Sequence, residues 1–428
     1  MKTLMLDGSH ANDSQAVTVT NSLIKHLPDT ETMALREQRI GNCAGDFFCW
    51  VRSPGICNTD DDNRIIASKI MHSDLVIYLT PVTFGGYSSA LKRMVDHQIQ
   101  NISPFFANIA GEIHHQRRYK HYPNLLVIGW TNEPNTQAES IFRHLVHRNA
   151  INMYAKTSVC GLVVGHPSNA TLDVQLEFWL REIASGSSSS VPVLPSIDIS
   201  SADTTPVKRA VLLVGSPRTR KSTSASLGDY LFEQLQAHGI DTQTIQIYTS
   251  LYSAERMSAM YEAIDNADLV VLAFPLYVDC LPAPVIRALE KIAAARRKDN
   301  LKPARVAAIA NCGFPGAQHN DTALAICAEF ARENGFAWMG GLALGAGEGI
   351  VHGVPLNELD GRAIPIKGAL DLAADALASG QPIPQSAREL LAKPIIPNWM
   401  YTFQGQFGWK QVAKQYGMEK QLKGQPYL

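Results

Sequence analysis

The chain carries the same strand–loop–helix plan twice, and that repetition constrains its fold more than any other feature. Near the amino end an apolar run, Thr3 to Leu6, passes into Asp7-Gly8-Ser9 and a hydroxyl-rich helix entry at Ser14. Near the middle a second run, Ala210 to Val214, passes into Gly215-Ser216-Pro217-Arg218 and a second such entry at Ser222, Thr223 and Ser224. Later in each copy Asp74-Leu75-Val76-Ile77 with Pro81 matches Asp268-Leu269-Val270-Val271 with Pro275. Strands are expected near Thr3–Leu6, Thr32–Leu35, Asp74–Thr80, Asn124–Trp130 and Ser158–Val164 in the first copy. The second copy gives Ala210–Val214, Thr242–Ile247, Asp268–Phe274, Arg305–Ala310 and Ala337–Leu342, with helical patterns between. Short apolar runs alternating with helices need a parallel sheet covered on both faces. The expected fold class is therefore α/β, with two doubly wound parallel five-stranded sheets in tandem.

A chain of 428 residues is longer than one core usually holds, and the repeat divides it naturally. Residues 1–183 and 207–380 are expected to form the two domains. Between them 184–206 is rich in Ser and Pro, with no period to bury, and reads as a linker. Residues 381–428 carry Trp399, Tyr401, Phe403, Phe407 and Trp409. A disordered tail carries few aromatics, so this one is expected to lie on its own domain or on a partner subunit.

Charge narrows the function. With 38 basic and 39 acidic residues the chain has no electrostatic footprint for nucleic acid or an anionic membrane, so small-molecule chemistry is favoured. No apolar run approaches the ~18 residues of a membrane helix, and a soluble cytoplasmic protein is expected. Seven cysteines, an odd number, point to reduced thiols rather than a disulfide scaffold.

The turn Gly215-Ser216-Pro217-Arg218 suits a terminal phosphate. Glycine admits close backbone approach, amides at a helix start point outward, and Arg218 can fork two bonds onto phosphate oxygens. Two other readings compete: an ordinary helix cap with solvated cations, and a P-loop, against which Arg220 stands where the second glycine belongs. The first copy has no arginine in its turn, and Asp13 sits where it would repel a phosphate. At ~4 Å and an effective dielectric near 20, two unit charges interact by about 4 kcal/mol.

The series Gly215-Ser216-Pro217-Arg218, Pro275-Leu276-Tyr277-Val278 and Asn311-Cys312-Gly313-Phe314-Pro315 resembles the NAD(P)H-dependent FMN reductases of the flavodoxin-like superfamily. The resemblance covers about 208–342 well and 1–165 more loosely. It implies flavodoxin-like domains, FMN as cofactor and NADH or NADPH as electron donor. By the same resemblance Ser216, Arg218, Ser222, Thr223 and Ser224 would hold the FMN phosphate, and Pro275, Leu276, Tyr277, Val278, Asn311, Cys312 and Gly313 would line its ring. In the first copy Ser9 and Ser14, with Pro81, Val82, Thr83, Phe84 and Gly85, would form a second or degenerate site. Relatives often assemble as homo-oligomers in which a neighbour completes the pocket. Asp279 departs from the family pattern, either pointing away from the flavin or tuning its potential.

The first copy is also similar to iron–sulfur flavoproteins through Cys43, Cys49 and Cys57, but Asp46 stands where those sequences have a cysteine. Buried or redox-sensitive thiols are expected there rather than a metal or cluster. The segment His97 to His121, found only in the first copy, reads as a flavin cover, a nucleotide-phosphate or dimer contact, or a solvated excursion. Gly345-Ala346-Gly347-Glu348-Gly349 is a weak flexible-loop signal, and His319 reads as a surface histidine.

The function expected is FMN-dependent transfer of electrons from NAD(P)H to a quinone, flavin, azo or nitro compound, or protein acceptor, with no catalytic side chain required. The alternatives are a flavodoxin-type carrier, which the balanced charge disfavours, and a non-catalytic scaffold.

Overall fold

The computed structural model describes residues 1–186, 191–200, 205–296 and 304–428. Among the described residues twelve strands follow one another along the chain. In the first half these are β1 (Thr3–Asp7), β2 (Glu31–Ala34), β3 (Leu75–Pro81), β4 (Ile102–Ile109), β5 (Glu112–Arg117), β6 (Asn124–Thr131) and β7 (Ser158–Val164). The second half adds β8 (Arg209–Val214), β9 (Asp241–Gln246), β10 (Leu269–Pro275), β11 (Arg305–Asn311) and β12 (Ala337–Leu344). All ten expected strands are present. They form two five-stranded sheets, in the orders β2-β1-β3-β6-β7 and β9-β8-β10-β11-β12. Every pairing within both sheets is parallel. Counted within each copy, both orders are 2-1-3-4-5, the flavodoxin-like winding, so both copies reverse direction between the first and third strands.

The strands read as continuous apolar runs because both faces are covered. In the first unit Met5, Ile77, Leu79 and Ile128 pack against Val19 and Leu23 of the helix Ser14–His26 and Leu176 of the helix Asn169–Ser185. In the second, Leu212, Val214, Val271 and Ile309 meet Leu227 and Leu231 of the helix Thr223–Ala237, with Leu370 of the helix Ile364–Ala378 in the same cluster. Each such side chain contributes ~1.5–3 kcal/mol of burial free energy.

By contacts the chain divides into one unit comprising Met1–Pro195 with Trp399–Leu428, and another comprising Ser196–Asn398. The linker expected over 184–206 starts inside a helix that runs to Ser185. Residues 187–190 and 201–204 of that expected linker lie outside the described residues. Ser200 between them is bonded both ways to β12: its amide donates to the Trp338 carbonyl at 3.0 Å, and its hydroxyl accepts from the Trp338 amide at 2.9 Å.

Two segments differ from a simple repeat. The His97–His121 stretch is not a solvated excursion; β4 and β5 form an antiparallel hairpin with Phe105, Phe106 and His114 buried. Arg118 is spent on main-chain carbonyls, of Ile102 at 3.1 Å and of Gly424 at 2.7 Å, and Arg117 lies over the Tyr154 ring. The stretch 381–428 is not one tail. The amide of Ile383 donates to the Met339 carbonyl at 2.8 Å, and the helix Gln385–Ala392 belongs to the second unit.

Of the expected aromatics beyond residue 398, Tyr401 and Trp409 pack on the first unit, whereas Trp399, Phe403 and Phe407 stay exposed. Tyr401 lies 5.3 Å from Phe106, and Trp409 lies 5.2 Å from Trp50, centroid to centroid. Gly405 admits this approach: a Cβ there would stand 2.4 Å from Cε2 of Phe106. Gly405→Val is therefore expected to lift the helix Asn398–Lys414 off the hairpin and cost about 1–3 kcal/mol. Limited proteolysis should then cut this segment faster, with tryptophan emission shifted to the red; unchanged cleavage and emission would contradict the packing.

Candidate functional site

In the second unit three loops meet at the carboxyl edge of the sheet. The first follows β8. Gly215 donates its amide to the Ala273 carbonyl at 2.8 Å, and a Cβ on it would come within 2.4 Å of Cγ2 of Val285, so the strand can turn here only with glycine. Ser222 caps the helix Thr223–Ala237 by accepting from the Ala225 amide at 3.2 Å, and its hydroxyl donates to the Thr219 carbonyl at 2.7 Å. Ser224 accepts from Asn311 Nδ2 at 2.8 Å, and Ser216 accepts from the Arg218 amide at 3.3 Å. These three buried hydroxyls shape the turn from within.

Arg218 and Thr223 converge on an anion. The guanidinium donates from Nη1 to Oε1 of Glu348 at 2.6 Å, and the Thr223 hydroxyl lies 3.4 Å from Oε2 of the same carboxylate. His352 Nδ1 is 3.2 Å from Oε1. Glu348 arrives on the Gly345–Gly349 loop, which the sequence marked only as flexible. A Cβ on Gly347 would press on Thr223 Cγ2 at 3.1 Å, and one on Gly353 would meet the Lys221 backbone at 2.8 Å, so this segment closes down on the turn. Arg218 and Thr223 thus turn donors toward one carboxylate at this helix start, a donor set whose chemistry would fit a terminal phosphate. A partly exposed ion pair of this kind contributes about 0–1 kcal/mol. Charge-assisted bonds to a phosphate are stronger, ~1.5–3 kcal/mol each.

The second loop follows β10. Leu276 donates its amide to the Asn311 carbonyl at 2.8 Å, and Tyr277 and Cys280 exchange amide-to-carbonyl bonds of 2.9 and 3.1 Å. Val278 and Asp279 between them have φ of 49° and 53°, a left-handed pair of the kind a type I′ turn needs. A β-branched residue in that region is strained by roughly 1–3 kcal/mol. Asp279 does not face solvent: it is 3% exposed, with its carboxylate 3.7 Å from Nδ1 of His319, itself 2% exposed. His319 is thus buried rather than a surface residue, its ring 4.7 Å from Phe314. In the third loop Cys312 turns its sulfur to the Phe314 carbonyl at 3.3 Å, and burial pushes that thiol up to about 12, which removes it as a nucleophile. Gly313 beside it has open space where a side chain would be.

The first unit repeats this backbone with different chemistry. Gly8 donates to the Leu79 carbonyl, Val82 to Trp130, and Thr83 and Gly86 exchange bonds around Phe84 and Gly85, whose φ values are 52° and 78°. Phe84 is buried, whereas Pro81, Val82 and Thr83 are partly exposed. At the helix start, however, Asp13 accepts from the amides of Gln15 at 3.0 Å and Ala16 at 3.1 Å, and from the Trp130 indole at 3.2 Å. Ser14 is exposed. Ser9 lies 3.2 Å from Nη1 of Arg36, a cation arriving from beyond β2 that the turn sequence did not reveal, but Arg36 already pairs with Asp7 at 2.5 Å. Two fixed carboxylates thus surround the first turn.

If Arg218 and Thr223 form a phosphate cradle, removing the internal anion should ease FMN entry. Glu348→Gln is expected to tighten FMN binding about fivefold, the equivalent of ~1 kcal/mol. Arg218→Ala is expected to weaken it about tenfold or more. Fluorescence titration of apoprotein reads both; equal affinities in all three proteins would contradict the assignment.

The sequence profile of NADPH-dependent FMN reductases matches residues 1–119 and 209–346, more than half of the chain. An iron–sulfur flavoprotein of Methanocaldococcus jannaschii is 28% identical over 100 residues, which are 22% of this chain and 51% of the relative. The chain thus spans about half the length of the curated relative it matches. An NAD(P)H:quinone oxidoreductase from Methanothermobacter marburgensis superposes with a TM-score of 0.31 at 15% identity, covering 40% of this chain and 96% of its own. An FMN-dependent NADH-azoreductase from Bacillus anthracis, solved with FMN, gives 0.30 at 12%, covering 40% and 99%. With each copy matched by one and the same profile, the chain belongs to the NADPH-dependent FMN reductase family, a family of flavin-dependent oxidoreductases, and carries its domain twice.

Proposed function

We propose that the second unit is the working FMN site of an NAD(P)H oxidoreductase whose electrons go to a small conjugated acceptor such as a quinone, a flavin, or an azo or nitro compound. The observation that carries this reading is the carboxylate of Glu348 resting on Arg218 and Thr223, which supports an anion-binding role for this turn. FMN, when bound, supplies acceptance of a hydride equivalent and its onward release. The chain supplies placement. Arg218, Thr223 and the helix start hold the phosphate, while Pro275, Leu276, Tyr277 and Val278 with Asn311, Cys312 and Gly313 wall the ring. Ser216, Ser222 and Ser224 support this site by fixing the loop. Asp279, tied to His319, stands behind the ring-side turn, where a negative charge would disfavour extra electron density on the flavin. No side chain in these loops is required to act as nucleophile or acid.

The near-balance of 38 basic and 39 acidic residues supports an enzyme over an electron carrier, because carriers dock through strongly acidic faces. In the first unit Asp13 and the Asp7–Arg36 pair disfavour a second phosphate. Gently purified protein is expected to hold one FMN per chain, which bleaches anaerobically on addition of NADH or NADPH. Bound FMN that neither nucleotide reduces would favour the carrier. Two FMN per chain would show that the first unit also works.

A further inference from the structure

The cysteines of the first unit are not used by the flavin reading, and one of them has a histidine partner. Cys57 lies half-buried between the short helix Phe48–Val51 and the helix Asn63–Met71, with its sulfur 3.5 Å from Nδ1 of His97. The histidine is 3% exposed. Its other nitrogen, Nε2, is 3.0 Å from the Gly41 carbonyl, which can only accept. Nε2 therefore carries a hydrogen, and Nδ1 is left to take the thiol proton. Nucleophile, base and a third group that orients the base are the elements of an activated side chain.

We propose that Cys57 and His97 form a nucleophilic thiol site that adds to soft carbon electrophiles of the activated-alkene class. One feature of the surroundings disfavours acyl transfer. The Cys57 amide, the donor an acyl oxyanion would need, is already bonded to Oε1 of Gln100 at 2.9 Å, and Gln100 is held in turn by Asn63 Oδ1 and the His97 carbonyl. Conjugate addition needs only a thiolate and a returned proton. The sulfur bonds to the β-carbon, the alkene pair moves toward the conjugated carbonyl oxygen, and the proton held on His97 passes to the resulting enolate. The net change is addition of S–H across the double bond, with nothing oxidised or reduced.

The electrostatics agree. Burial pushes the Cys57 thiol up, but the hydrogen bond and charge of His97, with the Thr59 amide and Asn63, more than reverse this, and its net pKa falls below the ordinary thiol value. Burial likewise lowers His97, and the bond to Cys57 and its charge, the Gly41 carbonyl and Asp96 raise it overall. Asp96 stands beside His97, Arg64 and Asn63 face the pair from the helix Asn63–Met71, Cys43 approaches from the preceding loop and Tyr427 from the C-terminal segment. By contrast burial pushes Cys43 and Cys160 up to about 12, and Cys49 well above its ordinary value.

The test is a timed reaction of the full-length protein with N-ethylmaleimide from pH 5 to 9, with each cysteine quantified by peptide mass spectrometry. Cys57 should react at least tenfold faster than Cys43 and Cys160 at pH 7. Reactivity should be present above the lowered pKa and lost as pH falls through it, with an inflection below that of an ordinary thiol. His97→Asn should slow the pH 7 reaction about tenfold and be rescued at high pH. A Cys57 no faster than the other two, an ordinary inflection, or a His97→Asn protein with the same profile would overturn the proposal. If that variant does not fold, the wild-type profile decides alone, and no flavin is needed for the readout.

Discussion

Arg218 closing on the carboxylate of Glu348 is the interaction on which the functional reading rests. It joins the first loop of the second sheet to the loop after its last strand, across a helix start whose geometry is set by Gly215 and the Ser222 cap. Each of those parts has a separate physical reason: no room for a Cβ, an unsatisfied first turn, and a cation needing a partner. Together they give a place built for an anion, which the chain itself fills with a carboxylate. The Coulomb gain of the pair at a site one-third exposed is small, whereas a phosphate placed there would recruit the guanidinium fork and the helix amides together.

The two copies show how one backbone diverges in chemistry. Their turns after the third strand share hydrogen bonds and left-handed backbone, yet one uses Phe84-Gly85 and the other Val278-Asp279. Phe84 and Val278 are both left-handed, but at the next position Gly85 relieves the strain that Asp279 retains. At the helix starts the difference is larger. Asp13 is a covalent neighbour of the helix it caps and cannot be exchanged for a ligand, whereas Glu348 reaches its helix from a distant loop. In the first unit the carboxylate is the cap itself, whereas in the second Ser222 caps the helix and Glu348 is a separate carboxylate held by Arg218 and Thr223.

Much of this was legible in the sequence because it is local. The ten strands of the two parallel sheets announced themselves as short apolar runs, and the turn pattern singled out Arg218 and Thr223, which the structure brings to one carboxylate. What escaped was long-range. Nothing near residue 348 says that Glu348 will meet Arg218, 130 residues earlier. Arg36 reaches Ser9 from beyond a separate strand, and Cys57 finds His97 only after two helices and a strand intervene. The hairpin β4–β5 was missed because Ser103-Pro104 and the paired histidines break the alternation expected of strands. The aromatic C-terminal stretch was expected to lie on a surface as one tail; only Tyr401 and Trp409 of its named aromatics do so, and its two halves join different units.

The central claim is that the second unit's turn receives the FMN phosphate by exchanging it for Glu348. A crystal structure of the full chain loaded with FMN tests it most directly. The account predicts the phosphate within hydrogen-bond distance of the Arg218 guanidinium and the Thr223 hydroxyl, with Glu348 moved away. A phosphate on the Ser9 turn of the first unit, with the Arg218–Glu348 pair intact, would contradict it.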